Sequence, residues 1–266
     1  MLQRIHGRCW LAWAILAFVF PAVLSGVSKL IVVGIPVAVH GSVAQRFLWS
    51  ISGGLIGEWL FVIALSLLLI RRNQSFRDLG TWKFGSRMAW VLALALAGLS
   101  ISSNLRFLPQ MHIPIYYAFT PRGFHLVAAL ALGITAGFCE EVLFRGFLMT
   151  EFASAGYGKV AQVILPGVAF GFAHLGYSVH GIMAAIGIMV PTALLGMMWG
   201  VAYLLGQRGL VPCIVAHFLN DSTALPWIIF FSSAAIPGDS RLRRGKPKND
   251  RRSLTRPAAQ TKAFFG

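Results

Sequence analysis

Apolar runs about as long as a bilayer is thick recur along the chain. A helix of about 20 apolar residues crosses the hydrocarbon core. Runs of roughly that length lie at Trp10–Val27, Phe47–Ile70, Met88–Leu105, Phe124–Met149, Lys159–Leu175, Gly181–Leu205 and Leu210–Phe231. Leu30–Val39 is apolar but short, and reads as re-entrant or as part of an eighth span. The expected fold is therefore all-α, a polytopic transmembrane bundle of about seven or eight spans. The charge content agrees. Only 12% of residues are charged and 57% are hydrophobic, whereas soluble domains carry about a quarter charged residues. Such a chain could not cover a water-facing surface, and lipid removes that need.

The formal net charge of +15 is concentrated in clusters. Nine basic residues lie between Arg241 and Lys262, and five more are Arg71, Arg72, Arg77, Lys83 and Arg87. Basic clusters at the ends of hydrophobic segments set topology and touch anionic lipid. The chain has no nucleic-acid motif and no basic folded domain, so a nucleic-acid partner is not expected. The Arg71–Arg87 cluster marks a cytoplasmic loop, and an N-terminus inside gives two spans before it. Seven spans would then put the basic tail outside, against the positive-inside tendency, so the parity stays open. Arg4 and Arg8 precede the first apolar run without a clear cleavage site after it, which reads as a retained signal anchor.

Three regions follow. Residues 1–123 hold N-terminal spans and loops, 124–235 a helical core with the polar residues described below, and 236–266 a basic tail too polar to order itself. Arg106–Arg122, with Pro109, Pro114, Pro121, Tyr116 and Tyr117, reads as an interfacial loop with an aromatic belt. Glycines four apart at Gly53–Gly57, Gly133–Gly137, Gly167–Gly171 and Gly196–Gly200 predict close helix contacts within one bundle. Cys9, Cys139 and Cys213 have no disulfide or zinc spacing. Cys139 adjoins Glu140 and invites a nucleophile reading, but a buried Cys usually behaves as an inert small hydrophobe.

The chain has only eight acidic residues, and four fall within the expected spans: Glu58, Glu140, Glu141 and Asp221. A carboxylate in hydrocarbon is expensive and is a functional candidate by default. Glu141 and Arg145 are four apart and share a helix face, so Arg145 can hold Glu141 ionised. Glu140 points about 100° away on an α-helix and is free for another partner, as a general base must be. Phe170 and His174 share a second face with Gly171 between them. His217 and Asp221 share a third, a pair able to orient an imidazole, bind a metal or present donors to an oxyanion. Asn220 lies on a neighbouring face. Glu58 stands outside all three sets and is not assigned to the site.

Glu140-Glu141 with Arg145, then Phe170 with His174, then His217 with Asp221, on three successive hydrophobic helices, resembles the CPBP family. These are the type II CAAX prenyl proteases and bacteriocin-processing enzymes, also called Abi-domain proteins. The resemblance covers roughly Phe124 to Phe231. It implies a glutamate-dependent intramembrane endopeptidase acting on a membrane-anchored protein or peptide, without an organic cofactor, in the cell membrane of a prokaryote. It makes 124–235 the catalytic core. Glu140 becomes the general base, His174 helps it activate water, and His217 with Asp221 faces the scissile carbonyl. Glu141 with Arg145 holds the site together. The family's last position is Asn or Asp. An ionised Asp221 is a poor oxyanion donor, so here it must be protonated or act by orienting His217.

No GxSxG elbow or HExxH motif competes. A zinc site of Glu140, His174 and His217 is the mechanistic alternative. Other functions remain open too: a non-catalytic immunity or scaffold protein, or a proton-coupled transporter built on buried Glu and His.

Overall fold

A computed structural model of the chain describes residues 43–110, 114–120, 123–174, 182–223 and 226. The expected spans Trp10–Val27 and Leu30–Val39 and the basic tail lie outside them. The described residues are helical and contain no strand. In order come α1 (Val43–Arg71), a 3₁₀ turn (Phe76–Leu79), α2 (Arg87–Leu105), the short α3 (Phe107–Gln110), a second 3₁₀ turn (Ile115–Phe119) and α4 (Phe124–Thr135). The α4 helix runs on through two π-helical segments, Ala136–Glu140 and Val142–Leu148, into α5 (Met149–Ser154). Then follow α6 (Lys159–Ala173), α7 (Ile182–Leu205) and α8 (Val211–Ser222).

Four stretches are long and apolar enough to cross a membrane: Ser52–Arg71, Arg87–Gln110, His125–Ser154 and Ile186–Leu205. Each coincides with an expected span, and the protein is an integral membrane protein. Two expectations shrink. The α6 helix ends at Ala173, and its 15 residues fall short of a full span. The described part of Leu210–Phe231 is the 12-residue α8.

Outward side chains are apolar, as lipid requires: Ile63, Leu67 and Ile70 on α1, Val91 and Leu99 on α2, Met183 on α7. Apolar burial therefore supplies little force between helices, and close contact of small residues must hold them. A Cβ on Gly133 would sit 2.9 Å from the Phe218 carbonyl oxygen. One on Gly137 would sit 2.9 Å from the Ile214 oxygen, so α8 lies backbone to backbone on the π-helical stretch. Gly167 meets Met197, and Gly171 meets Met189 and Ala193, which seats α6 on α7. Two of the four glycine pairs, Gly133–Gly137 and Gly167–Gly171, thus mark helix contacts inside one bundle. The long central helix is the most enclosed, with Val142 to Met149 all buried.

One edge of the bundle is tied by loops. The Gly80 carbonyl accepts the Leu210 N–H at 3.0 Å. Gly80 has φ +86° and lies so close to the Arg208 carbonyl that no side chain fits there. Ser86 caps α2 by accepting the Ala89 N–H at 3.2 Å and donates to the Leu205 carbonyl at 2.9 Å. Arg72 pairs with Glu151 at 2.8 Å. The ends of α1, α5 and α7 and the starts of α2 and α8 therefore share one side, together with the cluster Arg71, Arg72, Arg77, Lys83 and Arg87. Ile115–Phe119 carries exposed Ile115, Tyr116 and Phe119, and the Tyr116 and Tyr117 rings meet at 4.6 Å.

Candidate active site

The sequence set Glu140 on a face of its own, away from Glu141. That holds for an α-helix, but here the chain takes π-helical turns on both sides of Glu141. A π turn closes on i→i+5 rather than i→i+4 bonds, so it is wider and successive side chains diverge less. Both carboxylates consequently reach one imidazole, that of His217. Glu141 Oε1 lies 2.9 Å from His217 Nδ1, and Glu140 Oε2 lies 3.6 Å from Nε2. Asp221 Oδ2 lies 3.5 Å from the same Nε2. Glu140 is thus not free of Glu141's surroundings. The two share the ring that links them.

Arg145 anchors the cluster. Its Nη1 donates to Glu141 Oε1 at 2.8 Å, and its Nη2 donates to the Gly196 carbonyl at 3.0 Å. The guanidinium lies 4.6 Å from the Phe170 ring centre and 5.5 Å from that of Trp199. Glu141 and Arg145 are 0% and 1% exposed, and a buried ion pair needs close partners to be tolerated. Gly196 makes it possible. A Cβ there would stand 3.2 Å from Arg145 Nη2 and 2.8 Å from Phe170. The sequence marked Gly196 as a helix-contact residue, and its second task, leaving room for a guanidinium, had no signal.

Phe170 connects the helices. Its ring meets His174 at 5.2 Å and His217 at 5.9 Å, both edge to face. Trp199 meets His217 at 4.5 Å, the two rings tilted by 39°. These rings fix the imidazole between the carboxylates, and Trp199 was not legible in the sequence. His174 follows α6, and its Nδ1–H donates to the Phe170 carbonyl at 2.9 Å. That leaves Nε2 as the nitrogen able to handle a proton. Asn220 Nδ2 donates to Asp221 Oδ1 at 2.6 Å and so ties the two side chains together. Cys139 is buried, as the bland reading of it expected.

Glu140 lies about three turns of the continuous helix before Glu151, which sets the cluster well below the basic edge. Beside it, a cavity of about 410 Å³ opens between α1, α4 and α8, lined without polar surface by Trp59, Phe138, Ile214, Phe218 and their neighbours. Among the described residues no three His, Cys, Asp or Glu side chains are grouped to hold a metal ion. What the arrangement offers chemically is two carboxylates, Glu140 and Asp221, at the His217 imidazole, with a second imidazole, His174, joined to it through the Phe170 ring.

Residues 121–223 match the family model of type II CAAX prenyl endopeptidases, Rce1-like. The match takes in the Glu140, Arg145, His174, His217 and Asp221 positions and supports the resemblance that these residues carry. No curated protein and no solved structure matches the chain.

Proposed function

We propose that this chain, whose segment 121–223 is of the Rce1-like, type II CAAX prenyl endopeptidase family, is an intramembrane endopeptidase of a prokaryotic cell membrane that cleaves a membrane-anchored protein or peptide. The observation that carries the reading is the His217 imidazole, held at Nδ1 by Glu141 and facing Glu140 and Asp221 through Nε2.

Amide hydrolysis needs an activated water, a proton carrier and stabilisation of the oxyanion. Glu140 takes a proton from water, and the resulting hydroxide attacks the scissile carbonyl. His174, through Nε2, steadies that water. The tetrahedral oxyanion accepts a hydrogen bond from His217 Nε2–H, whose charge Glu141 offsets through Nδ1. Asp221, fixed by Asn220, orients the same imidazole. On collapse the C–N bond breaks, and the proton held by Glu140 passes to the leaving amine. The apolar cavity beside the cluster fits a substrate that arrives through lipid.

The test is cleavage of a farnesylated CAAX reporter peptide by the full chain in lipid vesicles. Wild type should release the C-terminal fragment, and Glu140→Gln should lose about 10³-fold or more in kcat while melting at an unchanged temperature. Equal turnover by both proteins would remove the catalytic reading.

A further inference from the structure

Glu58 lies on α1, outside the family-matched segment 121–223. Its neighbour Trp59 fixes this part of α1 to the catalytic helix. The indole donates to Thr135 Oγ1 at 2.9 Å, and its ring stacks on Phe138 at 6.0 Å. One residue back, the Glu58 carboxylate is in electrostatic contact with Glu140, His217 and Asp221, and with Cys139. Three carboxylates, Glu140, Glu141 and Asp221, therefore stand at one imidazole, and a fourth, that of Glu58, interacts electrostatically with the cluster. The permanent cation, Arg145, is already committed to Glu141 and to the Gly196 carbonyl. His217 is committed to Glu141 through Nδ1 and lies between Glu140 and Asp221 through Nε2.

Glu58 Oε2 is buried and has no hydrogen-bond partner among the described residues. A buried acceptor left without a donor is costly, and in native proteins its partner commonly arrives with a ligand. Trp59, the next residue, lines the apolar cavity, as does Phe218, the residue after His217. Glu58 therefore adjoins a residue that lines the cavity and interacts electrostatically with the catalytic cluster. An extended peptide entering there brings backbone N–H donors that lipid cannot satisfy.

We propose that Glu58 is a substrate-binding residue whose Oε2 accepts a backbone N–H of the peptide beside the scissile bond. This rests on the endopeptidase reading. It adds an α1 residue to a site that the family-matched segment otherwise supplies alone. Gln keeps a carbonyl acceptor in the same place, and Ala keeps none.

Binding separates this inference from catalysis. The probe is the farnesylated CAAX peptide, titrated onto the full chain in vesicles in a Glu140→Gln background, so that nothing turns over. Adding Glu58→Ala should weaken binding on the order of tenfold, the worth of one hydrogen bond. Adding Glu58→Gln should recover most of that loss. Melting temperatures report folding independently, and a structural role would lower them without recovery by Gln. Binding indifferent to Glu58→Ala overturns the inference alone. If no variant binds the peptide, the substrate reading fails and the inference falls with it.

Discussion

Glu141 joins His217 to Arg145 through a single oxygen, Oε1, at 2.9 and 2.8 Å. All three side chains are buried. Removing the middle charge strands a guanidinium in the bundle interior. Glu141→Ala should destabilise the protein by about 3–5 kcal/mol, the cost of breaking a buried pair from one side. Replacing both members, Glu141→Met with Arg145→Met, should recover a large part of that stability but no activity. Thermal unfolding in detergent checks this. A double variant no more stable than Glu141→Ala would contradict the pairing.

Asp221 and Asn220 make a second comparison. Asp221 Oδ2 stands 3.5 Å from His217 Nε2. Asp221→Asn keeps the shape and adds an N–H donor suited to an oxyanion, so its kcat should stay within about tenfold of wild type. Asp221→Ala removes the group that orients His217 and should cost about 10²–10³-fold, because the oxyanion donor His217 is then misplaced. Steady-state kinetics on the reporter peptide decide it. Equal losses in both variants would mean that the negative charge itself is required.

The helix contacts make a sharper structural test. Gly137→Ala forces a methyl group into the α8 backbone, 2.9 Å from the Ile214 oxygen and 3.0 Å from the Phe218 nitrogen. That backbone carries His217, so both stability and kcat should fall. Gly54→Ala and Gly98→Ala meet nothing within 4 Å. They should be neutral or stabilising by up to about 1 kcal/mol from helix propensity. Melting temperatures rank the three, and an unchanged Gly137→Ala would refute the packing.

At the exposed 3₁₀ turn, the Ser75 N–H donates to Asp78 Oδ2 at 2.7 Å and the Ser75 hydroxyl donates at 3.0 Å. These bonds hold the Asp78 carboxyl below its ordinary range. Because the folded value lies below the unfolded one, the small stabilisation is present above the unfolded pKa. It is lost as pH falls through the folded value. Ser75→Ala should move the Asp78 titration upward, read by carboxyl NMR, and an unmoved titration would deny the contact.

Much of the site could be read before the fold was known. Glu140, Glu141, Arg145, His217 and Asp221 were singled out because charge in an apolar run is expensive, and the structure brings them around one ring. The glycine pairs at Gly133–Gly137 and Gly167–Gly171 were read as helix contacts for the same reason that they are so, namely lack of a side chain. The π turns around Glu141 were hidden. In a helix apolar on every face, hydrophobic period carries no information, and a π turn changes only backbone bonding. Glu58 was set aside because its relation to Glu140 is long-range. The expected span Lys159–Leu175 was short to begin with, and its helix covers Lys159–Ala173.

The most direct test of the account compares protein termini in the membrane and secreted proteomes of cells carrying wild type or Glu140→Gln at equal expression. The account predicts a small set of membrane-anchored proteins that are cut in wild-type cells and remain uncut in the variant. Identical termini in both, with Glu140→Gln rescuing a deletion phenotype, would contradict it and assign the protein a role in binding.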